Sequence, residues 1–167
     1  MTGTPIDTPC PIPRQDKDLT LDTPWGVFNH RVGCLIFRDG HILLQKSGSG
    51  YWFIPGGRVA FGESTTDTVQ REMMEEFGQM PLRFEPAAII ENFFHIADKA
   101  FHEIGFYFRV DMPSGFEPPA TDMHGKPQIN DWHPIAALPD LDVKPNFFKT
   151  RLTELQSGFQ HVVHVDR

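Results

Sequence analysis

The stretch GRVAFGESTTDTVQREMMEEFGQ, residues 57–79, decides the reading of this chain. Val69, Met73 and Phe77 recur every fourth residue, an apolar stripe that predicts a helix over residues 64–77. Ser64 with Asp67 three residues on forms a capping box, and Gly78 stands where a left-handed cap ends a helix. On a wheel of about 100° per residue with Val69 at zero, Met73 and Phe77 fall at about 40° and 80°. Glu76, Glu72 and Glu75 fall at about −20°, −60° and −120°, so three carboxylates share the arc beside the apolar stripe. Pro55-Gly56-Gly57, just before the stretch, is a loop whose backbone can approach a ligand closely.

This arc opposes helix stability. Glu72 with Glu76, and Glu72 with Glu75, are like-charge neighbours, each unfavourable by a few tenths of a kcal/mol. Glu75 and Glu76 also lie near the negative end of the helix dipole. The one basic residue of the helix, Arg71, reaches Glu75 in the weaker orientation. A solvated acidic face would look the same on the helix alone. A divalent cation would repair it, because Mg²⁺ takes oxygen ligands and bridges carboxylates to phosphates. A carbonyl of Gly56 or Gly57 could complete such a site.

Outward from the helix, Val32 to Phe37 and Ile42 to Leu44 are β-prone runs around Asp39-Gly40, a hairpin signal, and Tyr51 to Ile54 is a short strand. Ala87 to Ile96 and Phe101 to Met112 are two longer strands with Asp98-Lys99 in their turn. In the second, Ile104, Phe106, Phe108 and Val110 alternate with Glu103, Gly105, Tyr107 and Arg109, giving one apolar and one polar face. Residues 113–130, rich in Pro and Gly, read as a long loop. A last helix is expected from Asn146, as N-cap, to Ser157, then a strand from Phe159 to Val165. Residues 1–24, with five prolines, read as a flexible tail, and 25–167 as one domain. The predicted class is α/β, a mixed sheet covered on both faces.

Composition narrows the function. The chain has 167 residues, 40% hydrophobic and 22% charged, enough for a core and too apolar for wholesale disorder. Its 15 phenylalanines point to an aromatic-rich core. A net charge of −7 argues against a sequence-independent grip on nucleic acid. No run reaches the roughly 18 apolar residues of a membrane span. Two cysteines, Cys10 and Cys34, make neither a disulfide framework nor a four-cysteine zinc site. Without a signal-like start, the expected compartment is the cytoplasm.

Gly57, five residues, Glu63, seven residues, then Arg71-Glu72-Met73-Met74-Glu75-Glu76-Phe77-Gly78 resembles the box of the Nudix (MutT-like) hydrolase family, G-x5-E-x7-R-E-U-x-E-E-x-G-U with U a bulky aliphatic residue. All seven fixed residues match, which chance gives at roughly 10⁻⁹ per starting point. Gln79 departs from the last U, and Met80 is beside it. The resemblance implies an α/β/α sandwich and metal-dependent (Mg²⁺, or Mn²⁺) cleavage of the pyrophosphate bond of a nucleoside diphosphate linked to another moiety. It implies Glu72, Glu75 and Glu76 as metal ligands with the carbonyl of Gly56 or Gly57. It implies Glu63 and Arg71 as braces of loop and helix, Arg71 orienting a catalytic glutamate. Gly57 and Gly78 belong to the same box.

The general base in this family lies inside or outside the box. Glu72 is the inside candidate; Glu103, on the polar face of its strand, and Glu91 are the outside ones. Arg58, after the two glycines, could hold a phosphate. Trp52 and Phe53 could stack on a base, and Tyr107 and Arg109 share a face with Glu103. His102, next to Glu103, is expected on the apolar side, buried and bonded, and no pair of histidines shows ligand spacing. A Nudix-fold nucleotide-binding module without catalysis is the alternative function, although such a module could shed the acidic arc. An aromatic-rich domain of this kind could also pair as a homodimer.

Overall fold

The computed structural model describes residues 17–166. The first sixteen residues of the expected tail, Cys10 among them, lie outside the described residues. The rest of that tail is structured. Strand β1 (Thr20–Thr23) pairs antiparallel with β2 (Gly26–Leu35), which moves the start of the fold ahead of the expected Trp25. The prolines that suggested a tail leave Leu19 to Thr23 free of breakers, and the Leu19 amide donates to Val59 O at 2.8 Å.

The expected mixed sheet is present, and a second sheet accompanies it. The first has the order β1–β2–β7–β6–β10, where β6 is Arg83–Ile96, β7 is Lys99–Asp111 and β10 is Gln160–Val165. In it β2 and β10 run parallel to β7 and β6 respectively, and β6 pairs antiparallel with β7. The second contains β3 (Phe37–Arg38), β4 (His41–Lys46), β5 (Trp52–Phe53) and β9 (Val143–Lys144), with β8 (Asn130–Pro134) paired to β4. The chain changes sheet at Ile36, so the expected first strand is divided between β2 and β3. The Asp39-Gly40 turn is as expected, both residues at positive φ (48° and 75°), and it joins β3 to β4.

Helix α1 (Thr65–Phe77) covers one face of the first sheet. Val69, Met73 and Phe77 pack there with Val32, Cys34, Ile36, Phe108 and Val110. On the other face Leu35, Ala88, Ile90, Tyr107 and Val162 pack with Phe148, Leu152 and Leu155. The last three belong not to one helix but to a four-residue α2 (Phe148–Arg151) and a 3-10 turn (Leu152–Leu155). Asn146 does not cap α2; Phe147 holds the N-cap position, and the Asn146 amide donates to Asp166 Oδ1 at 2.9 Å. The apolar strip is buried as expected, but it is carried by a single α-turn followed by a 3-10 turn instead of one continuous helix.

Candidate active site

Helix α1 is fixed at both ends by its own sequence. The Ser64 hydroxyl accepts from the Asp67 amide at 3.1 Å, Asp67 Oδ2 accepts from the Ser64 amide at 3.3 Å, and Gly78 closes the helix at φ 66°. The three glutamates then fall into place, and Arg71 organises them. Its Nε donates to Glu63 Oε1 at 3.0 Å, and Nη1 donates to Glu72 Oε1 at 2.6 Å and to Glu75 Oε2 at 2.8 Å. Nη2 reaches the Arg58 carbonyl at 2.9 Å, tying helix to loop. One guanidinium thus serves three carboxylates, two of them buried beside it, more compensation than the helix sequence alone reveals. Burial alone would lower the Arg71 pKa, but Glu72, Glu63 and Glu75 outweigh it and raise it.

Glu63 also accepts from the Thr68 hydroxyl at 2.5 Å and the Ala60 amide at 3.2 Å. Burial pushes its carboxyl up, but these donors and Arg71 win, and its pKa lies below the ordinary value. Glu72 goes the other way. Burial is the largest influence, Arg71 only partly offsets it, and Glu75 and Glu76 add repulsion, so its pKa is pushed up to about 7. Its carboxylate lies against the α-carbon of Gly57, where a Cβ would overlap it, so the loop needs glycine at that position. Gly56, at φ 144°, would bring a Cβ onto the Val32 carbonyl. The Gly57 carbonyl itself accepts from the Val32 amide at 2.8 Å.

Glu76 is held by residues that sequence reading missed. Gln45 Nε2 donates to Glu76 Oε2 at 2.7 Å and to Gln128 Oε1 at 2.9 Å, while Gln128 Nε2 reaches the Glu76 carbonyl at 2.5 Å. The Met123 amide donates to Glu75 O at 2.8 Å. The 113–130 segment is therefore bonded to the C-terminal end of α1. Glutamines far apart in sequence give no signal of this.

The donors of this cluster are carboxylates and carbonyls, the set that suits a hard divalent cation. Among the described residues, no three His, Cys, Asp or Glu side chains converge on one point as they stand. Arg71 holds Glu72 and Glu75, and Gln45 holds Glu76, so binding a cation requires these bonds to yield. The under-compensated Glu72 supplies a reason for them to do so.

A cavity of about 430 Å³ opens between the two sheets. Arg31, Asn92, Glu103 and Phe94 line it from the first sheet; Tyr51 and Phe53 line it from the second. Glu103 is where its alternation placed it, 7% exposed and facing this space. Arg31, unremarked in the sequence, joins the two regions: burial would lower its pKa, but Glu103, Tyr107 and Glu72 raise it. A larger hollow of about 710 Å³ lies among Trp25, Phe28, Phe93 and Phe101 at the far end of the sheet and includes neither Arg31 nor Glu103.

Several expectations are corrected. Tyr107 is 3% exposed and packs on Phe148 in the core, over Gly33 and Gly105, where a Cβ would meet its ring. The polar face of β7 is covered along that part, so Tyr107 does not reach the cavity. Trp52 points away from the cavity toward His133, and its neighbours Tyr51 and Phe53 line it instead. Arg109 is spent on the carbonyls of Leu155, Gly158 and Pro86. Glu91 bonds His161 at 2.7 Å and does not line the cavity. His102 is exposed, between the rings of Phe28 and Phe93, rather than buried. The Arg58 side chain is half-exposed beside Asp18, with its carbonyl used by Arg71.

The family model described as "NUDIX domain" matches residues 27–152. An uncharacterized Nudix hydrolase, YvcI of Bacillus subtilis, is 30% identical over 116 residues, 68% of this chain and 71% of its own length. The isopentenyl-diphosphate Delta-isomerase of a Jannaschia species is 28% identical over 123 residues, 68% of each chain. The crystal structure of a MutT protein from Bacillus halodurans superposes with a TM-score of 0.63 at 24% identity, over 81% of this chain and 89% of that one. With the seven fixed residues of the box in place, the family model and the Bacillus subtilis relative show that the chain belongs to the Nudix family of pyrophosphohydrolases.

Proposed function

We propose that this Nudix hydrolase splits the pyrophosphate bond of a nucleoside diphosphate linked to a further group, with Mg²⁺ or Mn²⁺ as cofactor. The observation that carries the reading is the shortage of positive charge around Glu72, Glu75 and Glu76: Glu72 and Glu75 share the Arg71 guanidinium with Glu63, and Glu76 meets the neutral amide of Gln45. Nudix hydrolases in general use divalent cations. Glu72, Glu75 and Glu76, with the Gly56 carbonyl, would hold the cation here; Gly57 is the weaker carbonyl candidate because its oxygen already accepts from Val32. A cation held by these residues would supply neutralisation of the diphosphate charge and a lowered pKa for water.

The chain's own residues do the rest. Arg71 braces the loop through the Arg58 carbonyl and keeps Glu72 and Glu75 on one side of the helix. Glu72, kept ionised by a cation held beside it, can take the proton of the attacking water. Arg31, between Glu72 and Glu103, supplies a cation facing the phosphates from the cavity side. The rest of the substrate occupies the cavity between the sheets. A cytoplasmic enzyme acting on a small molecule fits a chain with no helix, among the described residues, long and apolar enough to cross a membrane.

The test is incubation with ADP-ribose, sugar nucleotides, dinucleoside polyphosphates and oxidised deoxynucleoside triphosphates, with Mg²⁺ or with a chelator, and identification of products by mass spectrometry. The expected result is cation-dependent release of a nucleoside monophosphate and the phosphorylated remainder. If the cation-loaded protein splits none of them, the reading fails.

A further inference from the structure

The register of the first sheet brings together four polar residues that are scattered in the sequence. Asn29 of β2 lies opposite Glu103 of β7, Glu103 opposite Asn92 of β6, and Asn92 opposite His164 of β10. Directly paired residues share a face, so the four form a row across the sheet. The first three are nearly sealed from solvent, at 6, 7 and 6% exposure. Asn29 Oδ1, Asn92 Oδ1 and His164 Nε2 are buried without a hydrogen-bond partner. Among the described residues Glu103 forms no hydrogen bond or ion pair, although the charge of Arg31 lies near it. Buried polar side chains in folded proteins are almost always bonded. Three such atoms in a single row, with an unpaired carboxylate among them and Glu103 and Asn92 lining a cavity, are unexplained by the fold.

The chemistry of the row selects its ligand. Glu103 as carboxylate and Asn92 through Oδ1 offer acceptors side by side, so the complementary group presents adjacent N–H donors. The walls are flat rings, Tyr51 and Phe53 from one sheet and Phe94 from the other, which suit a planar heterocycle. Among the bases only guanine carries a ring N–H and an exocyclic amino group next to each other; adenine offers only its amino group, and cytosine pairs its amino group with an acceptor. Arg31 then stands between this floor and the acidic helix, where a phosphate attached to the nucleoside would lie.

We propose that the Glu103–Asn92 floor reads the N–H edge of a guanine base, so that the substrate is a guanosine diphosphate derivative. This rests on the proposed pyrophosphohydrolase reading, since it assigns the base half of the same substrate. It also gives Glu103 a binding role in place of the proton-accepting role that its strand position alone had suggested.

Binding of mononucleotides without metal separates the two questions. In the presence of a chelator, GMP is expected to bind the full-length protein about tenfold or more tighter than IMP, which lacks the amino group, or AMP. Glu103→Gln, which replaces one acceptor with a donor, is expected to remove that preference, and so is Asn92→Leu, a second variant in case the first misfolds. Titration calorimetry reads both. Equal affinity for GMP and AMP overturns the proposal. So does a Glu103→Gln variant that binds GMP normally but turns over slowly, because Glu103 would then act on the reaction rather than on the base. Guanine-selective binding without cleavage of any guanosine diphosphate derivative would sink the hydrolase reading and leave the base site standing. Cleavage of adenosine derivatives with no preference for GMP would do the reverse.

Discussion

Glu72 is caught between Arg71, which favours its charge, and burial with Glu75 and Glu76, which disfavour it; the second influence wins. Its pKa is raised from 4.5 to about 7, so between those values the folded state binds a proton that the unfolded state has released. Stability of the metal-free protein therefore falls as pH rises through that window, by on the order of 3 kcal/mol, and the loss is complete above about pH 7. Glu63, with its pKa lowered, acts oppositely and at lower pH: its contribution is lost only as pH falls below the ordinary carboxylate value. Urea unfolding at several pH values should show a slope between pH 5 and 7 that is much flatter in Glu72→Gln; equal slopes would place the proton elsewhere. Arg71 is the other half of this balance. Arg71→Ala leaves Glu63 and Glu72 buried without their guanidinium, a loss of about 3–5 kcal/mol in the same unfolding assay. Glu76→Gln should behave differently. Its bond from Gln45 can be kept by the amide oxygen, so the fold survives while turnover drops by orders of magnitude. Comparable turnover in that variant would remove Glu76 from the ligand set.

Helix α1 was legible in full because every signal in it is local: cap, stripe, acidic arc and terminal glycine lie within 15 residues of one another. That locality also allows stability and chemistry to be varied separately. Ser64→Ala removes the capping acceptor and should cost about 1 kcal/mol in unfolding free energy with turnover almost unchanged, because Ser64 touches none of the glutamates of the arc. Gly57→Ala should do the reverse, since its methyl group displaces the Glu72 carboxylate while the helix keeps both caps. Turnover assays and melting curves of the two variants side by side distinguish these outcomes. The C-terminal segment was harder to read. Phe148, Leu152 and Leu155 are buried as their spacing implied, yet the spacing of three apolar residues fits α and 3-10 turns alike. The strand alternation in β7 identified the face of Glu103 but not how far that face is covered. Tyr107 looked like a cavity residue because its cover, Phe148, is 41 residues away in the sequence.

At the scale of the molecule, what the sequence left hidden is what pairing creates: the second sheet, the Gln45–Glu76–Gln128 link, and the polar row, each needing a register between distant strands. The same long-range ties determine how the whole fold should respond to a cation. The acidic helix is bonded to the loop at 57–59 through Arg71 and to residues 123 and 128 through its C-terminal carbonyls, so its ligand-binding state is coupled to most of the structure. A cation that binds only the folded chain stabilises it by about 2.7 kcal/mol at a concentration of 100 Kd. For a domain of this size each kcal/mol moves the melting temperature by about 2–4 °C, so saturating Mn²⁺ should raise it by about 5–10 °C. The gain should be largest near or above pH 7, where Glu72 is ionised and no proton competes for it. Glu76→Gln should lose most of the shift while melting normally without metal. Ca²⁺ or Mn²⁺ added to a chain whose acidic arc is merely a solvated surface would give no such shift in either protein, and that result would remove the cation from the acidic helix.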